Sequence, residues 1–187
     1  MSLVQDYLKT LNKCIKEIKE QDIEEIAGII FNAYKNGNQI FIIGNGGSAS
    51  TASHFARDLA IGTVHQDKLR VKANSLTDNV AVITSLANDI DYASIFVEQL
   101  KGRLSPGDVV IGISASGNSP NILRAMEYAR SEGAKNVGLI GFGGGRLKDL
   151  VDNGIIFSSD DYEPVEDAHL CLAHIICCLV RGKISNG

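Results

Sequence analysis

Gln39-Ile40-Phe41-Ile42-Ile43-Gly44-Asn45-Gly46-Gly47-Ser48-Ala49-Ser50 is the stretch that decides the fold. An apolar run ends in a Gly-rich turn, and the turn opens directly into a segment with helical spacing through His54, Phe55 and Leu59. A strand buried on both faces reads as such a continuous run, and a strand-turn-helix unit of this kind belongs to a parallel sheet. Glycines in the turn permit positive φ and close backbone approach, while the helix N-terminus offers unpaired N–H groups and partial positive charge. The turn reads either as an anion site or as a merely tight connection.

Working outward, further strands are expected at 70–74, 109–114 and 136–141, with a fifth at 155–158, spaced by stretches long enough for crossover helices. Before them, Val4, Leu8, Leu11, Ile15 and Ile18 recur at steps of four and three over 3–18, which predicts an amphipathic helix with a narrow seam. A second helix is expected over 22–36, with Asp22 as N-cap and Gly37 as its stop. The last helix, 164–181, has Pro164 in its first turn. No repeat or linker divides the 187 residues, so 1–187 reads as one domain.

The run 109–114 leads into a second turn, Ser114-Ala115-Ser116-Gly117-Asn118-Ser119-Pro120-Asn121, ahead of a helix through Ile122, Leu123 and Met126. Ser119 followed by Pro120 also reads as an N-cap with Pro at the first helical position, but capping does not explain Ser114 and Ser116. Hydroxyls and backbone donors without a lysine suit a phosphate monoester on a small molecule. Neither turn matches GxxxxGK[ST] or GxGxxG. An open parallel sheet places its ligand at the carboxyl ends of the strands, where both turns lie.

A formal charge of −4 with scattered Lys and Arg disfavours nucleic acid as a ligand. The apolar runs are short and the N-terminus is polar, so no membrane association is expected and the location reads as cytoplasmic. Cys14, Cys171, Cys177 and Cys178 lack paired CxxC spacing and read as reduced core thiols.

The two turns, with HFARDL between them and VEDAHLCLAHII near the end, resemble the sugar isomerase (SIS) family, and within it the phosphoheptose isomerase branch. The resemblance implies a three-layer αβα sandwich around a five-stranded parallel sheet of flavodoxin-like type, preceded by N-terminal helices that serve a homotetramer. It implies an aldose-ketose isomerase acting on sedoheptulose 7-phosphate through an enediol, in the supply of heptose units for cell-surface glycans. On the matching positions, Ser114, Ser116 and Ser119 hold the phosphate, Asn45, Gly46, Gly47 and Ser48 line the sugar-binding turn, and Asp89 lies near the substrate; Asp89 also reads simply as a helix-ending residue.

Catalysis in that family uses a carboxylate and a histidine on opposite sides of the substrate, and the matching residues are Asp58 and His174. Histidine suits an acid-base role without adjustment. The family carries Glu where this chain has Asp58, shorter by one methylene, about 1.5 Å of reach. The resemblance also implies a Zn2+ site of His54, Asp58, Glu166 and His174, with Glu166 in place of the usual Gln and also near the substrate. His54 and Asp58 are one helical turn apart and can point at one ion. His54 alone also reads as a capped or interface histidine. A basic residue that follows this helix in the family is missing, and Lys68 or Arg70 is the candidate substitute; no role is assigned to His65 or His169, and Arg57 reads as a surface residue. The competing reading is a noncatalytic SIS regulator that binds a sugar phosphate or a protein partner. The quartet His54, Asp58, Glu166 and His174 separates the two, because a pure binder needs no acid, base and metal ligands together. An isomerase for another phosphosugar also fits.

Overall fold

The computed structural model describes residues 2–65 and 68–186; Gln66 and Asp67 of the 63–68 segment lie outside the described residues. In chain order the elements are α1 (Leu3–Glu17), α2 (Glu20–Asn36), β1 (Gln39–Gly44), α3 (Gly47–Arg57), β2 (Lys72–Ser75), α4 (Val80–Asp89), α5 (Val97–Leu100), β3 (Val109–Ser114), α6 (Pro120–Ser131), β4 (Lys135–Ile140), β5 (Asn153–Ile156) and α7 (Tyr162–Asn186). The five strands form one parallel sheet in the order β2-β1-β3-β4-β5.

Strand alternation divides the interior into two cores. Ile40, Ile42, Ile111 and Leu139 face one side, under α2, α3 and α7. Phe41, Ile43, Val110 and Ile140 face the other, under α5 and α6. Burial on both faces is why β1 and β3 read as continuous apolar runs.

Boundaries depart from expectation where pairing or caps decide them. β2 starts at Lys72, opposite Gln39, because β1 offers no earlier partner to Arg70 or Val71. β5 starts at Asn153, opposite Val137, two residues ahead of the expected strand. Asp22 is not the N-cap of α2: that position is Lys19, and Asp22 lies in the first turn, where its charge faces the positive end of the helix dipole. Gly37 does close α2, at φ +71°. Leu11 on α1 and Ile18 at its C-cap pack against the core, whereas Val4, Leu8 and Ile15 of the same seam stay exposed.

α7 is long and apolar enough, by length and composition, to cross a bilayer, but it packs against α1, α2 and α3 as a core helix. On it, His169 is fully buried beside Phe157, with 5.6 Å between ring centroids. Among the described residues neither ring nitrogen has a hydrogen-bond partner. Burial pushes the imidazole down to about 4, while the nearby Ile140 carbonyl, outside hydrogen-bond geometry, opposes the shift. The unfolded chain therefore takes up a proton that the fold resists, so this stability is complete above about pH 6.5 and is lost as the pH falls toward 4. Urea unfolding should show an acid loss of up to about 3 kcal/mol from this residue that His169→Leu lacks. Equal acid losses in the two proteins would refute the assignment.

Candidate active site

β1 and β3 are neighbours, but their outgoing connections run to opposite faces: β1 leads to α3 over the first core, β3 to α6 over the second. The crevice opened where the connections diverge is where a sheet of this order binds its ligand. Both Ser/Gly turns open into it, and a cavity of about 130 Å3 lies between them, lined by Asn45, Ser48, Ser114, Ser116, Ser119 and Glu166, with Tyr162 at its edge.

The hydroxyls of the second turn are arranged by local backbone. Ser114 Oγ accepts from Gly117 N–H at 3.0 Å, and Ser116 Oγ accepts from Asn118 N–H at 3.2 Å. A hydroxyl that accepts from an amide keeps its own O–H to donate to an anion. Ser119 stands at the N-cap of α6, but its side chain makes no capping bond, so capping does not account for that hydroxyl either. In the first turn Gly46 adopts φ +54° and α3 begins at Gly47. There the side chain of Glu166 lies so close that a Cβ at Gly47 would overlap its carboxyl group. Burial, then the neighbouring Glu163 and Asp167 charges, raises the Glu166 carboxyl above its ordinary range.

α3 and α7 run in the same direction, since Gly47 meets Glu166 and, seven and eight residues later, His54 meets His174. His54 Nε2 and His174 Nε2 are 3.1 Å apart, and Asp58 Oδ2 lies 3.3 Å from the first and 3.7 Å from the second. Arg57 is exposed, as expected, and its Nη1 holds Asp58 Oδ1 at 2.7 Å. At Asp58 the helix loosens into a π turn, Asp58–Gly62, a distortion that recurs at functional sites. A second cavity, about 290 Å3, opens here between Arg57, Asp58, His174, Cys177, Cys178 and Arg181.

The SIS domain family matches residues 5–141. A phosphoheptose isomerase of Akkermansia muciniphila is 39% identical over 166 residues, covering 89% of this chain and 87% of its own. One of Aliarcobacter butzleri is 34% identical over 188 residues, covering 99% and 98%. The chain belongs to the SIS domain family, among its phosphoheptose isomerases. The solved phosphoheptose isomerase of Neisseria gonorrhoeae agrees in fold, with a TM-score of 0.83 at 26% identity over 94% of each chain.

In this SIS domain, His54, Asp58 and His174, beside the second cavity, could hold a metal ion. A tetrahedral ion with bonds of about 2.05 Å separates its ligand atoms by about 3.3 Å, and the three observed separations bracket that value. The expected fourth ligand is not in the group: His54, Asp58 and His174 converge, and Glu166 does not. Eight residues along α7 separate Glu166 from His174, about 12 Å of rise, and in this structure its carboxylate is turned to Gly47 instead. Asp58 and His174 are also side by side rather than across an opening. Asp89 ends α4, its Oδ1 accepting from Asn88 Nδ2, and lines neither cavity. Lys68 and Arg70 line neither cavity. The cysteine expectation holds for the buried Cys14 and Cys177, but Cys171 is only partly buried and Cys178 is exposed beside the second cavity.

Sequence reasoning missed Asn121, Tyr92 and Tyr162. Asn121 and Tyr92 both bind Asn45 through their side chains. Tyr162 stands against Phe142 at the edge of the serine-lined cavity. None carries a local signal, because the partner of each is remote in the chain.

Proposed function

We propose that this protein isomerises sedoheptulose 7-phosphate to D-glycero-D-manno-heptose 7-phosphate, holding the phosphate at Ser114, Ser116 and Ser119 and the reacting carbons at Asp58 and His174. The observation that carries the reading is the length of α3 between the first ligand turn and the His/Asp group. From Gly47 to His54, α3 rises about 10 Å, and an extended seven-carbon chain spans roughly 9 Å from its second carbon to the phosphorus at about 1.25 Å per bond. A phosphate seated among the serines therefore brings the carbonyl end to the His/Asp group.

Asp58 takes the proton from C1 while His174 protonates the C2 oxygen, giving the enediol; Asp58 then returns the proton to C2 as the O1 proton leaves to the imidazole. Both carbon-bound transfers use one face of the planar enediol, so a base and an acid placed side by side can serve it. Arg57 holds one oxygen of Asp58 and leaves the other toward the histidines. The same three groups, His54, Asp58 and His174, would hold a zinc ion, which would supply polarisation of the sugar oxygen in place of the proton from His174. The family's homotetramer is part of this reading, supported by the exposed seam Val4, Leu8 and Ile15 on α1, as is a cytoplasmic location.

Incubation of the protein with sedoheptulose 7-phosphate in deuterated buffer should label the isomerised carbon and yield the aldose. Absence of both, with and without added zinc, would overturn isomerase activity on this sugar and leave a binding-only protein or an isomerase of another phosphosugar.

A further inference from the structure

Asn121 is 1% exposed and polar, and it ends the second ligand turn with its side chain on Asn45 of the first, without lining the cavity. Its amide forms a reciprocal pair with that of Asn45: Asn121 Nδ2 donates to Asn45 Oδ1 at 2.8 Å, and Asn45 Nδ2 donates to Asn121 Oδ1 at 2.9 Å. The orientation of both amides follows from one backbone group. Ile122 N–H, which can only donate, is shared between Ser119 O and Asn121 Oδ1, each at 3.0 Å. That identifies the oxygen of Asn121, hence its nitrogen, hence which atom of Asn45 each faces. Tyr92 completes the arrangement by donating its hydroxyl to Asn45 Oδ1 at 3.0 Å. Asn45 Oδ1 thus has two donors, and among the described residues its second Nδ2 hydrogen has no protein acceptor, although the residue lines the cavity.

We propose that Asn121 is a positioning residue: it fixes the Asn45 amide so that an N–H, not a carbonyl oxygen, is presented to the sugar. The first turn of α6 thereby sets the donor on the turn after β1, and the phosphate-binding and sugar-binding turns are locked in one register. Because Asn121 reports to Asn45 and not to the serine hydroxyls, its influence falls on the sugar and not on the phosphate. This inference rests on the phosphosugar reading of the site.

Asn121→Asp tests it. The carboxylate has the same shape and still accepts from Ile122 N–H, but it replaces the donor facing Asn45 Oδ1 with a second acceptor. Asn45 must then turn over or withdraw, and kcat/KM for sedoheptulose 7-phosphate should fall by about tenfold to a hundredfold, with a much smaller loss, from the added charge alone, in inhibition by inorganic phosphate. Tyr92→Phe, at an exposed position that tolerates the loss of a hydroxyl, should shift the same ratio in the same direction by less, and the double variant should be less than additive. Parallel weakening of sugar-phosphate turnover and phosphate inhibition, or an unchanged kcat/KM, would overturn the proposal. Should the native protein bind sedoheptulose 7-phosphate without turning it over, the isomerase reading fails by itself. The affinity ratio of the sugar phosphate to inorganic phosphate, measured by calorimetry on native and Asn121→Asp proteins, still decides the role of Asn121.

Discussion

Asp58→Asn is expected to lower kcat for sedoheptulose 7-phosphate by about a thousandfold while leaving inhibition by inorganic phosphate intact. The amide fits the same space and its oxygen can still accept from Arg57, which now holds Asp58 Oδ1 at 2.7 Å. What disappears is the basic oxygen beside His54 and His174. The serine-lined cavity is built from other residues, at the opposite end of the parallel pair α3 and α7, so a competent phosphate site should survive. Steady-state kinetics with phosphate as competitive inhibitor separates the two functions. A variant that keeps its full rate would remove Asp58 from the role of base, and one that loses phosphate inhibition as well would show that the cavities are not independent.

The second large effect is on stability and on the phosphate turn together. Gly117→Ala should destabilise the protein by about 3 kcal/mol, a fall in Tm of about 6–12 °C for a chain of this size, and abolish inhibition by phosphate. Gly117 has φ +63°, which a side chain resists, and an added Cβ would overlap the Gly144 carbonyl oxygen. The obstacle is backbone, so no rotamer change relieves it. The same turn is tied down by Leu147 N–H to Gly117 O at 2.9 Å and Arg146 N–H to Asn118 Oδ1 at 3.1 Å, so displacement carries Ser116 and Ser119 with it. Thermal melts and phosphate titration check both parts; an unchanged Tm would mean that the two turns separate freely.

What could be read along the chain was local in its physics. Burial on both faces makes β1 and β3 unbroken apolar runs, the positive φ of Gly37 and Gly117 needs glycine, and a strand ending in a Gly- or Ser-rich turn before a helix places ligand donors at the sheet's carboxyl edge. Side-chain chemistry and order alone therefore determined the layered parallel architecture and the two turns. Tertiary packing decided the rest. His54 meets His174 across 120 residues and Asn45 meets Asn121 across 76, and no spacing rule relates such pairs. The parallel packing of α3 on α7 selected His54, Asp58 and His174 as a group and turned Glu166 to the N-terminus of α3 instead. Contacts between distant segments depend on the angle and register at which whole helices pack, and that is set by the summed fit of many side chains rather than by any residue's own preference.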